Sequence, residues 1–366
     1  MTINQVVMYV LAFGALVGGI DRLIGNRFGF GDKFESGFRM LGPVALSIAG
    51  IICFVPVLSN VLGVVMTPVC NLVNIDPALF GTILATDLGG YQLSMDLANN
   101  PEFGKFCGII ITAIFGCTIV YILPVGLGFL KEDDAPHFVK GILIGLVTMP
   151  APFIIACLML KMNLLNVLWN CLPIFILSIL LGIGVAKKPA AMIRGFLVFA
   201  KIIRGFAILG LLLATLTYMT GFEIIPGLAP IQESMKSVNA ICIVMLGSMP
   251  LAEIIQRIMK VPFRKINDKI AINGASTTGL VLSIFSATPA LALVPQMNRR
   301  GQVVMSACYV SCINLFGAHF AAANSASPDM VPYMIAAKVS GCIISGAVAM
   351  LATRNMKKEN DLSPAQ

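Results

Sequence analysis

Of the 366 residues, 58% are hydrophobic and only 11% are charged, so no soluble domain of appreciable size remains and the chain reads as a membrane protein. The net charge of +8 sits between the apolar runs, which explains the basic balance without a nucleic-acid partner. No glycine loop ending in Lys-Ser/Thr, no HExxH helix and no GxSxG elbow is present, which argues against ATP pumping, against an enzyme and against a bound cofactor.

In chain order, residues 4–25 form the first apolar run. It lacks a basic start and a small-residue cleavage site, so a retained helix is expected. Residues 41–73 exceed one straight crossing at about 1.5 Å per residue, and Pro43, Pro56 and Pro68 are placed to kink or split the run. Residues 77–98 are apolar but interrupted by ATDLGGYQ. Continuous helices are then expected over 105–130, 138–160, 164–186, 195–220 and 238–258. A second interrupted segment, 266–297, carries INGASTTG and SATPA, and residues 301–325 and 329–353 read as continuous helices. The expected fold is an all-α polytopic membrane protein of about 9–12 transmembrane helices with two interrupted or re-entrant segments, forming a single transporter domain over 1–366.

Charge suggests the topology. If both interrupted segments return to the side they came from, 21 of the 25 Lys and Arg fall on one side, and Lys105, Lys161, Lys236 and Lys338 fall on the other. The positive-inside rule then gives a cytoplasmic C-terminus. Splitting 41–73 into two crossings while 77–98 crosses once yields the same totals. In the hairpin reading the two halves have opposite topology, so inverted repeats are expected over about 41–160 and 238–353.

The most informative residue is Asp87, followed by the Gly89-Gly90 pair. A carboxylate at membrane depth costs roughly 3 kcal/mol on insertion scales and is usually kept for a ligand, an ion or a fixed cation. Adjacent glycines can open the helix and free polar backbone groups there. With Thr86, Tyr91 and Gln92, the break offers a charge, hydroxyls, an amide and an aromatic face, a set that suits a small organic cation bearing a hydroxyl. Capping of a half-helix or pairing with a lysine are the plainer roles for Asp87, and the residues alone leave these open. Asn273, Ser276, Thr277 and Thr278 form a matching uncharged cluster on the second segment. Asp96 and Glu102 read as solvated, and Ser286 and Thr288 as helix-end hydrogen bonders. His319 is either a path-lining, proton-linked group or a packed histidine, with Asn314 on its side of the helix.

Other features read more simply. The ten cysteines lie in or at the ends of apolar runs and are expected as small buried hydrophobes. Cys308, Cys312 and His319 lack a fourth donor, so no metal site is expected. Glu253 and Arg257 should pair at i,i+4, Lys201 and Arg204 should snorkel, and Trp169 and Tyr218 fit an interfacial belt. Gly14-x-x-x-Gly18 and Gly141-x-x-x-Gly145 permit close contact within the chain or in a homo-oligomer.

The stretch ATDLGGYQLSMDLA (85–98) resembles the bacterial ethanolamine-utilisation permease family, EutH. The likeness continues through GLVLSIFSATPALALVPQMNRRGQVV (279–304) and FGAHF (316–320). The resemblance implies a multi-pass inner-membrane permease for ethanolamine or a related small amine, working in the lipid bilayer by facilitated diffusion or ion-linked uptake. Members of the family often carry an acidic residue immediately before the histidine, where this chain has Ala318. If that acid helps to hold the amine, the departure implies weaker binding or a related amine as substrate.

Overall fold

The computed structural model describes residues 2–84, 90–123, 126, 130 and 134–356. Among them, eight helices are long and apolar enough to cross a membrane, and the fold is an all-α polytopic membrane protein. Helix α1 (Ile3–Leu23) opens on a capping box between Thr2 and Gln5. At its far end the buried Asp21 carboxylate accepts bonds from the backbone N–H groups of Phe28, Phe30 and Gly31 at 2.9, 2.7 and 2.9 Å, which turns the chain into α2 (Phe30–Arg39). Helix α3 (Leu41–Leu72) absorbs Pro56 and Pro68 without splitting, so residues 41–73 make one long crossing.

Helices α4 (Leu79–Leu84) and α5 (Gly90–Leu97) follow, then α6 (Pro101–Ile122), which is almost wholly buried. Its winding is π-type over Phe106–Gly116 and Thr118–Ile122, a rare geometry that shifts backbone carbonyls out of the α-helical register. Helices α7 (Ala135–Thr148) and α8 (Pro150–Met159) form one bent crossing, and α9 (Leu164–Lys187) and α10 (Pro189–Thr220) expose apolar side chains on the periphery. Helix α11 (Ile231–Ile270) is 40 residues long and runs well past the 238–258 expected.

The last third comprises α12 (Gly274–Phe285), α13 (Ala287–Ala292), α14 (Arg299–Cys312), α15 (Ala318–Ala326) and α16 (Val331–Ala352). One expectation fails here. Residues 301–325 are not continuous: the helix stops at Cys312 and restarts at Ala318, so α14 and α15 form a broken crossing between them. Both glycine motifs act within the chain, since a Cβ at Gly14 would lie 2.3 Å from the Gly247 carbonyl oxygen of α11, and one at Gly141 would lie 2.4 Å from that of Val303 on α14.

Polar contacts sort the loops into two faces. The first face holds the Lys105–Asp329 ion pair at 2.7 Å, Trp169 Nε1 donating to the Val73 carbonyl at 3.1 Å, and Asn4 Nδ2 donating to that of Pro328 at 2.6 Å. The second face holds the Asp21 turn, the expected Glu253–Arg257 pair at 2.9 Å and Gln302 Nε2 donating to Asp134 at 2.6 Å. Lys338, expected at the first face, belongs to neither: it is fully buried in α16. All ten cysteines are free thiols, and nine of them are buried.

Candidate functional site

The two ends of each interrupted segment, here called a hairpin, meet. In the first, the Asp76 carboxylate accepts from Ala78 N–H at 2.9 Å on the entering strand of chain, and from Asn99 and Asn100 N–H at 3.2 and 2.9 Å on the departing one. Asp76 is nearly buried, so these charge-assisted bonds replace its lost hydration. Asn100 then caps α6 by accepting from Glu102 and Phe103 N–H. In the second, amides do the same work: Asn273 Nδ2 donates to the Gln296 carbonyl at 2.7 Å, and Asn298 Nδ2 donates to that of Ala271 at 3.1 Å. Asn298 in turn caps α14 by accepting from Gly301 N–H at 3.0 Å. The first hairpin has its base on the first face and the second has its base on the second face.

Two cavities border these segments. One, of about 500 Å³, is lined by Tyr91, Gln92 and Asp96 of α5, Glu233 and Ser237 of α11, and Ser325 of α15. No lysine or arginine is among the described residues that line it. Gln92 Nε2 donates to Asp96 at 3.0 Å, which holds the amide toward the carboxylate. The other, of about 150 Å³, is lined by Tyr121, Ser286, Thr288, Asn314 and Ala318 together with the start of α3. The buried Ile48 side chain borders both cavities.

The second cavity lies where the second hairpin touches the broken crossing. Ser286 is extended at φ −150° and ψ 133°, and separates α12 from α13. The backbone just before it pairs with the break in the other element: Asn314 N–H donates to the Ser283 carbonyl at 2.7 Å and Phe316 N–H to that of Ile284 at 2.8 Å. Asn314 takes a left-handed φ of 53° to do so. A Cβ at Gly317 would lie 2.0 Å from the Phe285 carbonyl oxygen, so only glycine lets the two backbones approach. The Tyr121 and Thr288 hydroxyls bond at 2.8 Å, joining α6 to the start of α13.

The expected site residues therefore separate. Asp87 and Thr86 lie outside the described residues. Tyr91 and Gln92 line the larger cavity, and Asn314 lines the smaller one. His319 is fully buried in the first turn of α15 and lines neither of these two cavities. Asn273, Ser276, Thr277 and Thr278 sit at the base of the second hairpin, where Asn273 Oδ1 accepts from Ser276 N–H at 3.2 Å and from its hydroxyl at 2.7 Å. That is the ordinary chemistry of a helix start, and it falls at the opposite end of α12 from the break at Ser286. Sequence reasoning passed over Glu233, and it read Asp96 only as solvated and Ser286 and Thr288 only as end groups. For Ser286 and Thr288 the signal was the position of SATPA between two apolar stretches.

Compared with known proteins, residues 3–352 match the family model described as "Ethanolamine utilisation protein, EutH". The chain belongs to the EutH family. It is 33% identical to the "Probable ethanolamine permease EutH" of Listeria monocytogenes, over 98% of this chain and 97% of that one. It is 31% identical to the Escherichia coli protein of the same name, over 96% of each chain, and 33% identical to the "Uncharacterized protein YxeR" of Bacillus subtilis, over 99% of each. No solved structure matches the chain. Family and fold together point to a multi-pass bacterial membrane transporter rather than an enzyme.

Proposed function

We propose that this protein admits ethanolamine, or a closely similar small amine, into the cell by exchanging access between the two cavities. The observation that carries the reading is the wall of the larger cavity: two carboxylates, Asp96 and Glu233, the Tyr91 ring and the Gln92 amide, with no described cation beside them. An amino alcohol is mostly an ammonium at neutral pH, so carboxylates at the entrance concentrate it and an aromatic face adds cation–π attraction. Asp87, with Thr86, is assigned the ammonium, and Gln92 the hydroxyl. The Asn273, Ser276, Thr277 and Thr278 cluster is kept as support for the second hairpin, and Asn314 and His319 as groups on the exit side.

The first face is assigned to the outside and the second to the cytoplasm of an inner-membrane protein. Lys105, Lys161 and Lys236 are the cations of the first face, whereas the basic loops lie on the second, in keeping with the positive-inside rule. The opposite bases of the hairpins, each followed by an asparagine-capped buried helix, support inverted repeats over about 41–160 and 238–353 within one domain. Passage then amounts to movement around Ile48, with the Tyr121–Thr288 bond closing the inner side. An ion-coupled carrier of another small solute, an anion for example, needs a cation on the path. Lys201 and Arg204 are exposed on α10, and Lys338 is engaged by carbonyls, so no observation favours that reading.

The test is uptake of labelled ethanolamine into vesicles carrying the purified protein. Wild-type uptake should be displaced by unlabelled small amines and not by small acids, and Asp87→Asn should lower it at least about tenfold, or about 1.4 kcal/mol. Unchanged uptake in Asp87→Asn rejects the assignment of the ammonium, and displacement by acids alone rejects the amine reading.

A further inference from the structure

Lys338 stands in the middle of the molecule, fully buried on α16, where two irregular helices come together. Its Nζ donates to the Ala113 carbonyl on π-wound α6 at 2.9 Å, and to the Ser311 and Ile313 carbonyls at the end of α14 at 2.9 and 3.0 Å. The break in α14 frees the latter two. Past it, Leu315 N–H donates to the Cys312 carbonyl, Gly317 and His319 N–H to that of Asn314, and Asn314 and Phe316 N–H to the second hairpin. These backbone donors all bypass Ser311 and Ile313, as expected where a helix terminates and its last carbonyls lose their intrahelical partners.

Carbonyl oxygens converging at a helix break are also the ligand set that interrupted transporter helices offer to a monovalent metal ion. Here an ammonium on a tether fills the point of convergence. We propose that Lys338 is a resident cation: it holds α6, α14 and α16 together at a carbonyl cage that would otherwise take sodium or potassium, so the folded protein needs neither ion. Within a low-dielectric interior such a cage and its cation are strongly matched, and loss of the charge leaves the carbonyls without their donor.

Thermal unfolding of the purified full-length protein in choline, sodium and potassium chloride tests this without reference to the transported solute. The wild-type midpoint should be the same in all three salts. Lys338→Ala should melt lower by roughly 5 °C or more in choline and regain part of the loss, saturably, in sodium or potassium. Lys338→Met, which fills the space with an apolar chain, should melt lower in every salt with no recovery. A Lys338→Met protein as stable as wild type, a wild-type midpoint that rises with sodium, or a Lys338→Ala protein indifferent to both ions would each overturn the proposal. If Lys338→Ala does not fold, the wild-type and Lys338→Met measurements are still decisive. Because melting and uptake are separate readouts, failure here is distinguishable from failure of the amine reading.

Discussion

The two hairpins are built to the same plan with different chemistry. The first is clasped by a buried carboxylate, Asp76, which gathers three backbone N–H groups, and it presents Tyr91, Gln92 and Asp96 to the larger cavity. The second is clasped by the neutral amides of Asn273 and Asn298, and it presents Ser286 and Thr288 to the smaller cavity. A charged clasp fixes the first hairpin firmly because an ionised acceptor makes stronger bonds and cannot be left unpaired when buried. The neutral clasp can open at lower cost. The contrast suggests a division of labour in which the first hairpin holds the entrance rigid and the second yields.

The sharpest way to break that comparison is to remove the clasps one at a time. Asp76→Ala should destabilise the protein by about 3 kcal/mol, because charge-assisted bonds are each worth roughly 1.5–3 and the freed N–H groups are poorly solvated. Asn273→Ala should cost only about 1 kcal/mol, the usual loss of a helix cap. Melting midpoints in detergent measure both, and equal losses would dissolve the proposed division of labour. A smaller effect is expected at the cavity wall. Asp96→Asn with Glu233→Gln should raise the apparent KM for ethanolamine about two- to fivefold at low salt, and the difference should vanish at roughly 0.5 M salt, where the Debye length falls to a few ångströms. A loss of maximal rate at unchanged KM would mean that these carboxylates do not gather the substrate.

The same two hairpins also mark what the sequence discloses. The interruption in the second was legible, because glycine and polar residues break a run that is otherwise apolar, and the i,i+4 pair of Glu253 and Arg257 was legible for a local reason. The clasp was not, since Asp76 lies in NIDPALF, which looks like any polar turn, and its partners Asn99 and Asn100 are far along the chain. The break between α14 and α15 was hidden as well. CINLFGAHFAAA is a good helix by composition, and it unwinds because its backbone finds partners at Ser283 and Ile284, a tertiary effect that no local pattern encodes. Lys338 was misplaced for a related reason: seven residues into α16 it resembles an interfacial lysine, and the Ala113, Ser311 and Ile313 carbonyls that hold it inside come from distant elements. At the uncharged cluster around Asn273, a helix start and a binding site use the same residue types, so composition does not separate the two.

The account turns on the two cavities being open to opposite sides and exchanging access when the amine binds. Single cysteines at Ser325, on the larger cavity, and at Thr288, on the smaller, can be probed with a membrane-impermeant thiol reagent in vesicles of known orientation. The account predicts that Ser325→Cys is labelled only from outside and Thr288→Cys only from the cytoplasmic side, and that saturating ethanolamine shifts the two rates in opposite directions. Labelling of both positions from one side, or rates that ethanolamine leaves unchanged, would contradict it.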